Sequence, residues 1–340
     1  MRILIVGVGY WGPNIVRNLV DIPEVEAIGI SDLDPAKAAK IAARFPRTHV
    51  APAAPSAFSV GYDAAVVVTP VGTHAALADA ALDAGLHVLV EKPITRTSAE
   101  AEALVAKADR LDRRLMVGHV FHYKPEVRAL VDLARSGALG AIRYLDSVRV
   151  NLGLFRSDVN VLWDLAPHDL AIFEALLGKQ PERVSAIGVR HVPHSTSPQE
   201  TMVYLTLDYG GGTLGHVHVN WYSPVKQRLL TVGGSRKMAV YNDIDTESPI
   251  RVYDRGVYDP VADTPVYPAL RTGDVHIPHI GQEEPLRVQL REFLAAIAEK
   301  RAPATDGRAG LRVVRILEAA MDSLRQDGRF VPLAPSGPGR

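Results

Sequence analysis

The chain has 340 residues, 47% of them hydrophobic, with equal numbers of acidic and basic side chains and no cysteine. That length accommodates two domains with separate cores, and the balanced charge argues against nucleic acid or an anionic membrane as a partner. Without cysteine there are no disulfides, thiolate nucleophiles or cysteine-based zinc sites, so redox chemistry has to come from a bound cofactor.

The first apolar run, RILIV, is too short for a signal h-region and lacks a small-residue cleavage site after it. No later segment approaches the roughly 18 consecutive apolar residues of a membrane span, so a cytoplasmic protein is expected. RILIV leads directly into Gly7, Val8, Gly9, Tyr10, Trp11 and Gly12, a GxGxxG pattern between a strand and a helix. In that context Gly7 permits the tight turn, Gly9 lets backbone approach a pyrophosphate, and Gly12 allows close helix packing, with phosphates at the helix N-terminus. Tyr10 and Trp11 belong to the same loop and count among the expected cofactor contacts.

The next strand, EAIGIS, ends at Asp32. A carboxylate there binds the adenosine ribose hydroxyls and repels a 2′-phosphate, which favours NAD over NADP. The plainer alternative makes Asp32 a turn residue ahead of Asp34, which together with Pro35 forms an N-cap and first-turn proline. Further runs at AAVVVT, HVLVE and LMVGH alternate with the helical segments PAKAAKIAARF, THAALADAALDAG and SAEAEALVAKADRL. Gly85 stops one of these helices, and Thr97 with Glu100 forms a capping box. Continuous apolar strands separated by helices predict an α/β domain with a parallel sheet over residues 1–120. After its last strand come His119, His122 and Tyr123, which either line a substrate pocket or pack between domains.

The expected second domain, residues 121–330, is α+β. It opens with a helix at PEVRALVDLARSG, and after IRYLDSVRVNL comes another around Pro167 to Leu177. In that helix Asp164 and His168 lie four apart and share a face, provided Asp164 sits near the N-cap so that Pro167 falls in the first turn. Arg156, Asp158 and Asn160 precede them, as substrate ligands or as a solvated loop. Strands at RVSAIGVR, TMVYLTLDY, TLGHVHVNW, QRLLTVGG and KMAVYN predict a mainly antiparallel sheet. His216, His218 and Asn220 alternate on one strand face, where no carboxylate stands in register, so no metal site is expected there. Residues 249–285 lack periodicity, two helices follow near 284–299 and 308–325, and residues 331–340 read as a disordered tail.

With GVGYWG, Asp32, TPVGTH at 69–74, EKP at 91–93 and WDLAPHDL at 163–170, the chain resembles the Gfo/Idh/MocA family of oxidoreductases over residues 2–326. The resemblance implies a Rossmann domain joined to an α+β domain with an open-faced sheet, often used for dimer or tetramer contacts. It makes Lys92 and His168 the catalytic pair, with Asp164 as the histidine's neighbour. Thr69, Pro70 and His74 match the segment beside the nicotinamide, and Glu91 accompanies Lys92 there. The stretches GYWGPN, SDVNVLWDLAPHDL, VHIP and EPLRVQLREF look most like the branch acting on sugar nucleotides and natural-product sugars, which implies oxidation of a secondary hydroxyl, at C3 of a sugar. Two alternatives stay open: an NAD-dependent glycosidase that oxidises C3 transiently, and a dinucleotide-sensing regulator.

Overall fold

The computed structural model describes residues 1–153, 155–192, 199–257 and 270–334. The chain divides into two compact units, one formed by residues 1–123 and 283–315, the other by residues 124–282 and those from 316 onward.

The first unit holds six parallel strands, β1 (Arg2–Val6), β2 (Ala27–Ser31), β3 (Thr48–Val50), β4 (Ala64–Val67), β5 (His87–Val90) and β6 (Leu115–Val117), in the order β3-β2-β1-β4-β5-β6. They are linked by α1 (Gly12–Val20), α2 (Pro35–Ala42), α3 (His74–Asp83) and α4 (Ser98–Arg110) among other connections. Ile3, Leu4, Ile5 and the whole of β4 are buried, which is why these strands read as unbroken apolar runs rather than alternating ones. Asp34 caps α2 by accepting from Ala36 N at 3.0 Å, and Thr97 and Glu100 close the expected reciprocal box on α4. The strand order reverses between β1 and β4, so a crevice opens at their carboxyl ends, where ligands of this architecture collect.

The second unit begins with α5 (Pro125–Arg135), followed by β7 (Ile142–Leu152), α6 (Val161–Leu177), β8 (Arg183–Val189), β9 (Met202–Asp208), β10 (Leu214–Asn220), β11 (Tyr222–Gly234), β12 (Met238–Asn242), β13 (Ile250–Val257) and β14 (Leu270–His276). Two helices, α7 (Pro285–Ala298) and α8 (Gly307–Arg325), and a short β15 (Val331–Pro332) complete the described chain. The strands of this unit form one nine-stranded sheet, β14-β13-β12-β11-β7-β10-β9-β8-β15, antiparallel except where β10 runs parallel to β7. Val203, Leu205, Leu207, Val217 and Val219 are buried on one face, which α6 covers, while Tyr204, His216 and His218 point the other way. That alternation is the period of two expected of a half-buried sheet.

Three expectations change. The first unit runs to Tyr123 and takes in residues 283–315 as well. There Leu286, Leu290, Phe293 and Leu294 of α7 join the core formed by Ile3, Ile15, Leu19 and Ile28, and Glu284 binds Asn18 at 2.8 Å. The segment read as aperiodic contains β13 and β14, with residues 258–269 outside the described ones. The tail is ordered at its start, since Val331 and Pro332 pair with β8 and Leu333 N donates to Glu182 O at 2.8 Å; residues 335–340 lie outside the described chain.

Candidate active site

In the first unit the glycine-rich loop has the geometry its spacing predicts. Gly7 has φ +93°, and a Cβ there would lie 2.8 Å from Val68 O, so both backbone conformation and space demand glycine. A Cβ on Gly12 would lie 2.8 Å from Gly7 O, whereas one on Gly9 would meet nothing within 4 Å. The space over Gly9 is what a pyrophosphate needs. Trp11 at the N-cap of α1 offers no side-chain hydrogen bond; Pro13 has no N–H and Asn14 N donates to Trp11 O at 3.0 Å, so Gly12 supplies the N–H of that first turn that can face an anion. Asp32 accepts from Val8 N at 2.8 Å and from Asp34 N at 2.9 Å. These two bonds make it the acceptor that holds the turn after β2.

Tyr10 is 86% exposed and Trp11 46%, their rings edge-on at 5.6 Å. Leu33, which no sequence motif singles out, is 91% exposed directly after Asp32. An apolar side chain there offers no cation to a 2′-phosphate. These residues fit NAD: the loop for its phosphates, Asp32 for the ribose.

Thr69 accepts from Thr73 Oγ1 at 2.7 Å in the turn that begins at Pro70. His74 points into the protein. It is buried, with Nδ1 2.9 Å from Pro93 O and Nε2 2.7 Å from Thr69 O, so it clamps the segment after β4 to the one after β5. Burial, the larger effect, holds its pKa below the ordinary value against these backbone hydrogen bonds.

Glu91 and Lys92 follow β5, and the Lys92–Pro93 peptide is cis. The Glu91 carboxylate accepts from Lys92 N at 3.2 Å and lies so close to Gly118 that a Cβ there would be 2.9 Å from Oε1. Burial raises its pKa to about 7, with the Lys92 charge opposing. The unfolded carboxyl titrates near 4.5, so between those values the folded state holds more protons than the unfolded one, and this group makes stability fall as pH rises. Glu91→Gln is therefore expected to gain stability over the parent above pH 7 and to gain nothing below about pH 4.5. Urea denaturation across that range checks it; a difference that does not vary with pH would count against the buried carboxyl.

His119 is 2% exposed, and burial, then the charges of His122, Lys92 and Arg312, lowers its pKa to about 3. It is thus neutral at any working pH. Tyr123 is buried in the first unit's core, its hydroxyl 2.9 Å from Thr305 Oγ1.

In the second unit α6 starts earlier than expected. Asn160, expected to touch substrate, is the N-cap: it is buried, accepts from Trp163 N at 3.0 Å and donates to Glu200 at 2.8 Å. Pro167 consequently lies inside the helix rather than in its first turn. Asp164 and His168 still share one face, a turn apart. The Asp164 carboxylate accepts from Trp221 Nε1 at 3.1 Å and from Arg156 Nη1 at 3.3 Å, and Arg156 in turn grips Asp158 through both edges at 2.9 and 2.7 Å. Trp221 carries no motif, and only the structure brings it to Asp164. Beneath the helix Asp169 is buried in a bidentate pair with Arg149, at 2.8 and 3.0 Å, and accepts from Ser147 at 2.8 Å. That pair ties α6 to β7.

On the open sheet face His216 Nδ1 lies 3.1 Å from Asp146, which stands directly across on β7. A carboxylate is therefore in register, contrary to the expectation from β10 alone, because the partner strand is chosen at long range. No group of three His, Cys, Asp or Glu able to hold a metal occurs among the described residues, and none of the helices among them is long and apolar enough to cross a membrane.

Residues 1–119 match the model of an oxidoreductase family with an NAD-binding Rossmann fold, and residues 127–240 match the GFO/IDH/MocA C-terminal domain. The chain is 30% identical over 315 residues to UDP-N-acetylglucosamine 3-dehydrogenase of Acidithiobacillus ferrooxidans, covering 92% of this chain and 94% of that protein. It is 28% identical to dTDP-3,4-didehydro-2,6-dideoxy-alpha-D-glucose 3-reductase of Saccharopolyspora spinosa, covering 71% and 75% of the two. A solved structure of the Acidithiobacillus ferrooxidans dehydrogenase superposes with a TM-score of 0.80 at 27% identity over 96% of this chain and 98% of that one.

Proposed function

The chain belongs to the Gfo/Idh/MocA family of NAD-binding oxidoreductases, and from that premise we propose that it oxidises a secondary hydroxyl, at C3, of a nucleotide-linked sugar. The observation that carries this reading is that the first unit holds an NAD-shaped loop with Asp32 while the second, described by itself, holds Asp164 and His168 on one face of α6. The named substrates of the two relatives, UDP-N-acetylglucosamine and a dTDP-linked hexose, support the sugar class.

NAD, when bound, supplies a hydride acceptor for the C–H of the alcohol. The remaining proton, on the hydroxyl, goes to the His168 imidazole, whose ordinary pKa near 6.5 suits it as a base at neutral pH. Asp164, held by Trp221 and Arg156, fixes a negative charge one turn away and favours the imidazolium that results. Lys92 hydrogen-bonds the alcohol oxygen and stabilises negative charge as it develops there. His74 and Glu91 keep the Lys92 segment in place.

A screen for NAD reduction over sugar nucleotides, free sugars, inositols and aminoglycosides tests the reading. NADH should accumulate with a UDP- or dTDP-linked hexose, and the product should be its 3-keto form. Cleavage of a glycosidic bond without net NADH would favour transient oxidation instead, and tight NAD binding with no turnover across the panel would favour a sensor.

A further inference from the structure

Beside Asp164 the second unit presents an aromatic cluster of which the chemistry above uses Trp221 alone. Trp221, 1% exposed, donates to Asp164, and Phe155 meets it edge-on at 6.1 Å and 84°. Phe155 also leans on Tyr222 at 6.5 Å and 48°, and His191 lies parallel to Tyr222 at 5.9 Å and 14°. A continuous path of rings thus runs from the carboxylate to Tyr222, which is 54% exposed.

The main chain behind the exposed rings is anchored. Tyr222 N donates to Asn220 Oδ1 at 2.7 Å, and His191 N donates to Oγ1 of the fully buried Thr201 at 3.1 Å, with the ring Nδ1 3.3 Å from the same oxygen. Across the ladder from Tyr222 stands Leu152, 67% exposed, and the pairing then slips so that Gln227 meets Val150. Residues 223–226 of β11 fall in that register shift. The His191 and Tyr222 rings lie in near-parallel planes, an arrangement on which a planar ligand can stack.

We propose that Tyr222, with His191 and Phe155, forms a stacking subsite for the pyrimidine base of a nucleotide-linked sugar, whose reacting ring lies toward Asp164. The inference rests on the oxidoreductase reading and deepens it by naming what the substrate carries. Arg156, adjacent in sequence to Phe155 and hydrogen-bonded to Asp164, brings a guanidinium beside the path that a diphosphate linker would follow.

Calorimetric titration of the full-length protein with UDP and with dTDP tests it without needing turnover. Tyr222→Ala should weaken both by about tenfold or more, Tyr222→Phe should retain most of the affinity, and NAD affinity should not move in either. KM for a UDP-linked sugar should rise in parallel while kcat holds. Equal UDP binding by parent and Tyr222→Ala overturns the subsite, as does an equal KM penalty with a methyl glycoside, or a change of sedimentation mass that assigns the rings to a subunit contact. A parent that oxidises free sugars but binds no UDP overturns the subsite and leaves the oxidoreductase reading standing. Loss of UDP binding in Tyr222→Ala with no sugar oxidised would do the reverse.

Discussion

Lys92→Ala is expected to bind NAD as tightly as the parent and to lose on the order of a hundred- to ten-thousandfold in kcat. The two halves of that expectation have separate physical sources. The proposed dinucleotide contacts are the loop at Gly7, Gly9 and Gly12 and Asp32, none of which Lys92 builds. The loss in turnover follows because a charge placed at the alcohol oxygen matters most when that oxygen becomes negative, so its removal is felt in the transition state and little in the ground state. His168→Asn should behave alike in NAD binding but differ in its pH profile. The acid-side fall of kcat/KM that marks a histidine base should vanish in that variant and persist in Lys92→Ala. Full activity in the Lys92→Ala protein would remove the residue from the chemistry.

Asp169→Ala should cost about 3–5 kcal/mol of stability, a large share of the ~5–15 kcal/mol that holds an ordinary domain together. The substitution leaves the Arg149 guanidinium buried without its bidentate partner and strips Ser147 Oγ of its acceptor. The penalty is that of an orphaned charge, more than the worth of the pair. Replacing both partners by apolar residues of similar size, as in Arg149→Met with Asp169→Leu, should recover most of the loss. Urea midpoints of the two proteins decide it: a double variant no more stable than the single one would mean that the pair itself supplies the energy.

What could be read from the residues alone follows from the range over which each feature is determined. The parallel sheet was legible because burial on both faces writes an unbroken apolar run into each strand, and the caps at Asp34 and Thr97 were legible because their partners lie within three residues. β3 was missed, since three residues with two exposed ones carry no pattern. Asp146 opposite His216, Trp221 against Asp164 and Arg149 beneath Asp169 are separated by 70, 57 and 20 residues, and no periodicity encodes such meetings. Asn160 looked like a substrate ligand because a polar residue before a motif reads the same whether it faces a ligand or caps a helix. Only the position of the first helical turn tells the two apart.

The return of residues 283–315 to the first unit has a consequence for the order in which the protein is made. The strands of the NAD-binding sheet emerge first, but the apolar surface that receives Leu286, Leu290, Phe293 and Leu294 stays uncovered until the whole of the second unit's main sheet through β14 has been synthesised. The nascent Rossmann unit therefore waits, open on one side, for a helix encoded more than 150 residues after its last strand, and its completion is a late event of biosynthesis even though its sequence comes early.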